Sequence, residues 1–454
     1  RVVMSRTLGI KLGTIALLIL LLLIPLSMIE GLVEERQALR DEVLQDIARS
    51  SSYSQQLTGP LLVVPYLKTI RSWQVAETIG ADGKVVAARE RVEKQVPGRL
   101  YFLPEQFALN GKINLSTRYR GIYAARLYAA QNDISGHFVL PERFGIREDF
   151  ADYQFEPAFI ALGISDIRGI RNGLQLQFNG QSVTFEPGSQ VKLLGNGVHA
   201  TLPALNAQQP GKLAFAIELA LQGSGRLDIV PVGRESNVTL RANWPHPRFD
   251  GSFLPVTHQV KADGFTAQWQ TSFFATNLEE ALQTCVGKGE CEAFSSRSFG
   301  VSFIDPVDQY LKSDRAIKYA LLFIALTFAG FFLFEVLKRL AVHPVQYGLV
   351  GMALALFYLL LLSLAEHLPF ASAYVIAATA CVLLLAVYLS SVLRSLMRGG
   401  VFAASLGALY ALLYGLLSAE DYALLMGSLL VFGLLAGVML LTRKLDWYGL
   451  GKTL

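Results

Sequence analysis

Residues Leu12–Ile29 read LGTIALLILLLLIPLSMI, a run without one charged side chain. As a helix rising about 1.5 Å per residue, such a run nearly matches the roughly 30 Å hydrocarbon core of a bilayer. A polar stretch follows from Glu30 to Arg315. Five more apolar runs then crowd the last third: Tyr319–Leu337, Tyr347–Leu364, Ala371–Ser390, Val401–Leu417 and Tyr422–Leu441. The pattern predicts six membrane helices, with one large extramembranous domain inserted between the first and the other five.

Basic residues orient these runs, because cytoplasmic loops hold the excess of Lys and Arg. Arg1, Arg6 and Lys11 precede the first run, Lys338 and Arg339 follow the second, and Arg394 and Arg398 follow the fourth. Arg443, Lys444 and Lys452 follow the sixth. The alternate loops, Ala365–Phe370 and Ser418–Asp421, carry only Glu366, Glu420 and Asp421 as charges. Both termini are therefore expected in the cytoplasm and the large domain outside. The first run could be a cleavable signal peptide, but its core is long and Leu26-Ser27-Met28-Ile29 offers no small-x-small site, so it reads as an uncleaved anchor. The expected division is 1–11 cytoplasmic, 12–29 anchor helix, 30–315 β-rich domain, 316–442 five-helix bundle and 443–454 cytoplasmic.

Forty Lys and Arg face 36 Asp and Glu without a long basic run, which argues against nucleic acid as a partner. Of three cysteines, Cys381 falls in an apolar run. Cys285 and Cys291 flank a glycine-bearing turn in the external domain. A disulfide suits an oxidising compartment, and the rival zinc reading lacks a second ligand pair nearby. No metal and no cofactor are expected.

After Leu32–Ser50, a charged helix with Leu32, Leu39, Val43 and Ile47 as one stripe, the period changes to two. Leu213, Phe215, Ile217, Leu219 and Leu221 alternate with other residues, as do Leu174, Leu176 and Phe178. Asn179-Gly180 then supplies a two-residue hairpin turn. Asn277-Leu278-Glu279-Glu280 reads as the capped start of a helix. The fold class is α+β: six transmembrane helices plus a large antiparallel β-sandwich-type domain, in one piece or two.

Chemistry is sparse in the apolar runs. Glu335 is their one charged residue and reads as an interfacial carboxylate near Lys338 and Arg339. Glu366-His367 reads as a hydrated outer loop. Gly407, Ala411 and Gly415, and then Gly433 and Gly437, read as small-residue ridges for close helix packing. Outside, Asn243-Trp244-Pro245-His246-Pro247-Arg248-Phe249-Asp250-Gly251-Ser252-Phe253-Leu254-Pro255 is fixed by its prolines. Asn243, Trp244, His246 and Phe253 are the candidate contacts for a partner or ligand, although Trp244 and Phe253 read first as plugs of the core. His137, His199, His246 and His258 are scattered, with no metal or nucleophile spacing, so no catalytic residues are expected.

That proline-rich motif, with DPVDQYLKSDRAIKYALLFIALTF (Asp305–Phe328), HPVQYGLVG (His343–Gly351), FYLLLLSLAEH (Phe357–His367) and LTRKLDWY (Leu441–Tyr448), resembles the CreD family of bacterial inner-membrane proteins. TGPLLVVP (Thr58–Pro65) and FLPEQFALNG (Phe102–Gly111) resemble it too. The resemblance implies a Gram-negative inner membrane, a periplasmic location for the large domain, and membership of an envelope-stress regulon under a two-component system. Links to colicin tolerance, β-lactam response and envelope integrity come with it, and no enzymatic activity does. The leading expectation is a non-enzymatic envelope-integrity protein. Its partners would be the lipid bilayer and an unknown periplasmic or membrane protein or envelope ligand. The alternative is an insertase or chaperone on the plan of the YidC insertases. Against it, no basic groove residue stands in the runs, and Lys338–Gln346 is too short for a cytoplasmic helical hairpin. A membrane-anchored periplasmic enzyme ranks last.

Overall fold

The computed structural model describes residues 2–79, 85–208, 211–303, 308–338, 342–393, 395–418 and 423–443. Arg339, Arg394, Glu420, Asp421, Lys444 and Lys452 lie outside the described residues. The chain forms two compact units, Arg1–Glu42 with Val307–Leu454, and Val43–Pro306.

In the first unit, four helices are long and apolar enough to cross a membrane: Gly9–Ser50, Pro344–Ala365, Phe370–Val392 and Leu396–Ser418. Gln309–Lys318 and Ala320–Leu333, bent by 45°, make a fifth if counted as one span. The six expected spans are therefore four or five among the described residues, because the last run contributes only a shorter apolar helix there, Gly427–Gly437.

The first helix, Val2–Ser50, carries one seam at steps of three and four: Lys11, Ile15, Leu18, Leu22, Leu26, Ile29, Val33, Arg36 and Arg40. This is the spacing that keeps one helix face against its neighbours. Leu22, Leu26, Ile29 and Val33 are buried. The expected stripe fails at Leu32 and Leu39, which are exposed; only its end, Val43 and Ile47, packs, against Ala125 and Leu127 of the second unit's own core. Gly351 admits the first helix closely, since a Cβ there would lie 2.3 Å from Leu22 and 2.7 Å from Phe328. The other expected ridges do not pack this way. Nothing lies within 4 Å of a Cβ at Gly407, Gly415, Gly433 or Gly437. Leu406, Tyr410, Leu413 and Leu417, on another face of the same helix, are the buried ones. Tyr410 is central there, its ring centroid 4.6 Å from Phe323 and 4.5 Å from Phe357. Its hydroxyl donates to Cys381 Sγ at 3.3 Å, and Tyr374 donates to the Tyr410 carbonyl at 2.7 Å.

The second unit is a two-sheet sandwich, nine-stranded and eight-stranded among the described residues. The first sheet centres on Gln55–Ile79, with Arg226–Val230, Phe299–Phe303 and the edge strand Pro247–Gly251 to one side and Phe159–Ile164 to the other. The second centres on Glu235–Ala242, Gln106–Arg120 and Tyr123–Leu140. Alternation places Phe215, Ile217, Leu219 and Leu221 inward, as read, and leaves Leu213 partly covered. Asn179 and Gly180 take φ of 47° and 82° at the expected hairpin.

The sheets are mixed, which corrects the antiparallel expectation. Gln55–Thr58 runs parallel to Leu227–Val230, and Gln106–Ile113 runs parallel to Glu235–Ala242. Alternation specifies which face of a strand is buried and says nothing of its neighbour's direction. These two seams join halves of similar pairing: Gln55–Ile79 with Phe159–Ile164 matches Arg226–Val230 with Phe299–Phe303. One continuous apolar core, from Leu57 to Phe303, serves both halves and both sheets, so the domain is in one piece.

Asn277 does not cap its helix as expected. It takes a left-handed conformation (φ 45°) that ends the preceding turn, and no side-chain cap bond forms. Helix Leu278–Lys288 buries Leu278, Ala281, Leu282 and Cys285, and Cys285 is bonded to Cys291. So small a closed loop contributes about 2 kcal/mol on the chain-entropy model. Non-reducing peptide mass analysis should find the two cysteines in one bridged fragment, with Cys381 free; two free thiols at Cys285 and Cys291 would contradict it.

Candidate functional site

The proline-rich motif forms the rim of the first sheet. Asn243 Oδ1 accepts a bond from Leu115 N at 2.7 Å, a structural tie to the second sheet. Trp244 is half-buried at the border of the core rather than a plug. The Arg126 guanidinium lies 4.8 Å from its ring centre, and its Nε1 donates to the His246 carbonyl at 3.0 Å. The plug is Trp269: fully buried, stacked on Phe299 at 5.0 Å, with Phe249 edge-on at 5.7 Å. Phe253 is partly buried against Phe299, and its carbonyl accepts from Trp269 Nε1 at 3.2 Å. The roughly 3–5 kcal/mol cost of deleting a buried large aromatic thus belongs to Trp269. Of the four expected contacts, Asn243 and Phe253 hold the loop, and Trp244 and His246 form an accessible corner. Of the other histidines, His258 packs on Phe249 of the motif at 5.4 Å, and His199 is buried, bonded to the Gly188 carbonyl at 2.6 Å.

The motif also delivers charges that the sequence reading passed over. In strand register, Asp228, Gly300 and Asp250 form one row, and Arg226, Ser302 and Arg248 form the next. Leu227, Ile229, Phe299 and Val301 point into the core, so these six residues share the outer face. Arg226 Nε donates to Asp228 at 2.6 Å, Arg248 Nε to Asp250 at 2.7 Å, and Ser302 Oγ to Asp250 at 2.8 Å. Gly300 is required between the acids, since a Cβ would lie 2.5 Å from Asp228 Oδ1 and 2.1 Å from the Leu227 carbonyl. Two Arg-x-Asp triplets, Arg226-Leu227-Asp228 and Arg248-Phe249-Asp250, were the legible signal, because residues two apart on a strand share a face. Each carboxylate pairs with the arginine two residues before it on its own strand, and Ser302 ties the edge strand Pro247–Gly251 to Phe299–Phe303.

Burial, with Asp250 nearby as a lesser cause, raises the Asp228 carboxyl above the ordinary 3.8 despite Arg226. Its Oδ1 is buried and unbonded among the described residues.

The long ribbon of Gln55–Ile79 and Val85–Phe102 exposes apolar groups. Trp73 is 69% exposed and Val75 65%. Register puts Arg91 opposite Trp73 and Arg89 opposite Val75 on the same face.

In the helical unit, Glu335 is only 2% exposed and ion-paired to Lys11. It also accepts from Tyr347 Oη at 2.8 Å and Val342 N at 3.0 Å. The expected neighbours, Lys338 and Arg339, fall where the side chains are outside the described residues. Glu366 is likewise not a hydrated loop carboxylate: it is 13% exposed, 3.5 Å from Arg36 and bonded by Tyr310 Oη at 3.4 Å. Arg40 pairs with Asp308 at 2.7 Å.

A family model described as inner membrane protein CreD matches residues 7–448. The inner membrane protein CreD of Escherichia coli (strain K12) is 37% identical over 430 residues, covering 95% of this chain and 91% of that protein. Among solved structures, the M1 zinc metallopeptidase of Deinococcus radiodurans covers 37% of this chain and 38% of its own at 12% identity, with a TM-score of 0.17. The InvG secretin β-barrel of Salmonella covers 40% of this chain and 65% of its own at 13% identity, with a TM-score of 0.06. Likenesses so low carry no argument about fold or activity.

The raised Asp228 carboxyl has a signed consequence. A folded-state value above the unfolded one means the native state binds the proton more tightly, so stability is lost as pH rises from 3.8 through the raised value. Asp228→Asn should abolish that loss: thermal unfolding of the purified chain should show the variant gaining on the wild type as pH rises. A gap that closes with rising pH would contradict the assignment.

Proposed function

The chain belongs to the CreD family of inner membrane proteins, and on that premise we propose that it is a non-enzymatic, six-span protein of the Gram-negative inner membrane that supports envelope integrity. Both termini lie in the cytoplasm, and the β-sandwich works in the periplasm by binding a protein partner. Lys11 before the first run, Arg398 between the fourth and fifth, and Arg443 after the sixth fall on one side of alternating spans, which supports the orientation. The apolar helix Ala423–Thr442 supplies the sixth span.

One observation carries the binding role: the exposure of Trp73 and Val75 on a projecting two-stranded ribbon, beside Arg89 and Arg91. Exposed Trp with Arg is what protein interfaces concentrate at their centres, and burying it against a partner recovers hydrophobic free energy that folding left unused. The Trp244–His246 corner is the second contact surface. Cys285 and Cys291 brace the helix behind the core and take no part in binding.

A Cys placed at exposed Gly173 should react with a membrane-impermeant maleimide in intact spheroplasts, whereas one at Gly449, outside the described residues, should react only after the membrane is opened. The reverse pattern would overturn the orientation.

Trp73→Ser with Val75→Ser should leave expression and membrane insertion intact while failing to restore envelope-stress tolerance to a strain lacking the gene. Full restoration by that double variant would remove the ribbon from the function.

A further inference from the structure

The projecting ribbon has a free edge as well as an exposed face. Val85–Phe102 pairs with Gln55–Ile79 along one side and, among the described residues, with no strand along the other. That side leaves backbone N–H and C=O groups without a strand partner, a template on which another strand can pair. Edges of such length are normally guarded by charge. This one carries charges of both signs in a definite order, Arg89-Glu90-Arg91-Val92-Glu93-Lys94, with every charged residue exposed and Val92 half-buried.

Outward from Val92 the two directions are opposite in sign: Arg91 answers Glu93, and Glu90 answers Lys94. When a strand pairs antiparallel with its own copy about a two-fold axis, a residue before the axis lies opposite the one equally far after it, on the same face of the sheet. An axis at Val92 therefore sets Arg91 opposite Glu93 of the second copy on one face, and Glu90 opposite Lys94 of the second copy on the other, each twice. Val92 meets itself. The side-chain period of two allows the axis only at a residue. At Arg89, Glu90, Arg91, Glu93 or Lys94 it would set that charge directly against its own kind.

We propose that this edge is a self-association surface, on which a second copy of the chain adds antiparallel across Val92 and continues the first sheet through both molecules. Charge selects the occupant and the register, since opposite charges directly across strands are favourable and like charges are not. The ribbon's edge is used and not its Trp73–Val75 face, so this proposal and the binding role above can fail separately.

Cysteine crosslinking of the full chain in native membranes, with copper-phenanthroline as oxidant, tests it. The chain without an added cysteine is the blank, its free Cys381 being buried. Val92→Cys should give a disulfide-linked dimer, because the two Cα atoms would lie about 5 Å apart. Glu90→Cys and Lys94→Cys, each ~13 Å from its own counterpart in this register, should not link to themselves. Coexpressed, those two chains should link to each other. Neither Glu90 nor Lys94 has an ion pair within one copy among the described residues, so exchanging their charges disturbs only the pairing between copies. In the Val92→Cys chain, Glu90→Lys sets like charges opposite at two places and should slow linking about tenfold. Lys94→Glu should do the same. The two together should restore the rate, which separates a lost contact from a lost fold. The proposal is overturned if Val92→Cys stays monomeric or links to a different protein, or if position 90 links to itself as readily as position 92. It is overturned equally if Glu90→Lys leaves the rate unchanged, or if the double exchange stays slow.

Discussion

The helical unit depends on one seam. Lys11 and Arg36 are twenty-five residues apart on a single helix, about 38 Å at 1.5 Å per residue. Each ends in a carboxylate of the bundle, Glu335 and Glu366, and the seam between is apolar, half-buried at Ile15 and Leu18 and buried from Leu22 to Val33. The separation is that of a hydrocarbon core plus its two interfaces. Charges placed there can anchor both ends of the helix without entering the costly middle. Breaking a buried pair by removing one partner costs roughly 3–5 kcal/mol, so the pair at Glu335 fixes the register of the first helix against the bundle despite the long insertion between them. Its role is positional, and Tyr347 and the Val342 amide complete the shell of that carboxylate.

The insertion poses a second constraint: its chain must leave and return at nearby points. The parallel pairing of Gln55–Thr58 with Leu227–Val230 answers it, because Phe299–Phe303 then pairs on the far side of Arg226–Val230, leaving the first and last core strands one strand apart. Arg168 closes the junction between helix and sheet. It donates to the Arg49 carbonyl at 2.9 Å at the helix end while paired to Asp166, whose carboxylate accepts from Tyr53 N. Asp250, from the proline-rich motif, then pins the outermost strand to Ser302. The motif is thus first a fastening of the sheet rim, with His246, Arg248 and Leu254 among its residues left exposed.

Much of this was legible in residue order, and the reasons for the rest are physical. Apolar length revealed the helices, and Asn179-Gly180 revealed its hairpin because few other pairs tolerate two positive φ angles. Period-two alternation revealed strands and their faces. It could not reveal the parallel seams, which join segments over a hundred residues apart. Nor could it choose between Trp244 and Trp269 as the core plug, since both lie among strand-like neighbours. Glu335 was visible as an anomaly, but its partner Lys11 lies across the inserted domain. The ribbon's Trp73 drew no notice because one exposed aromatic in an alternating strand looks like any other until its neighbours are placed.

The binding role is tested most directly in living cells by a photo-crosslinking amino acid at position 73 of the full chain. Ultraviolet light should yield a discrete protein adduct that disappears when the same amino acid replaces Gly173, well away from the ribbon in sequence. Adducts to no protein, or an identical pattern from both positions, would contradict a protein-binding ribbon.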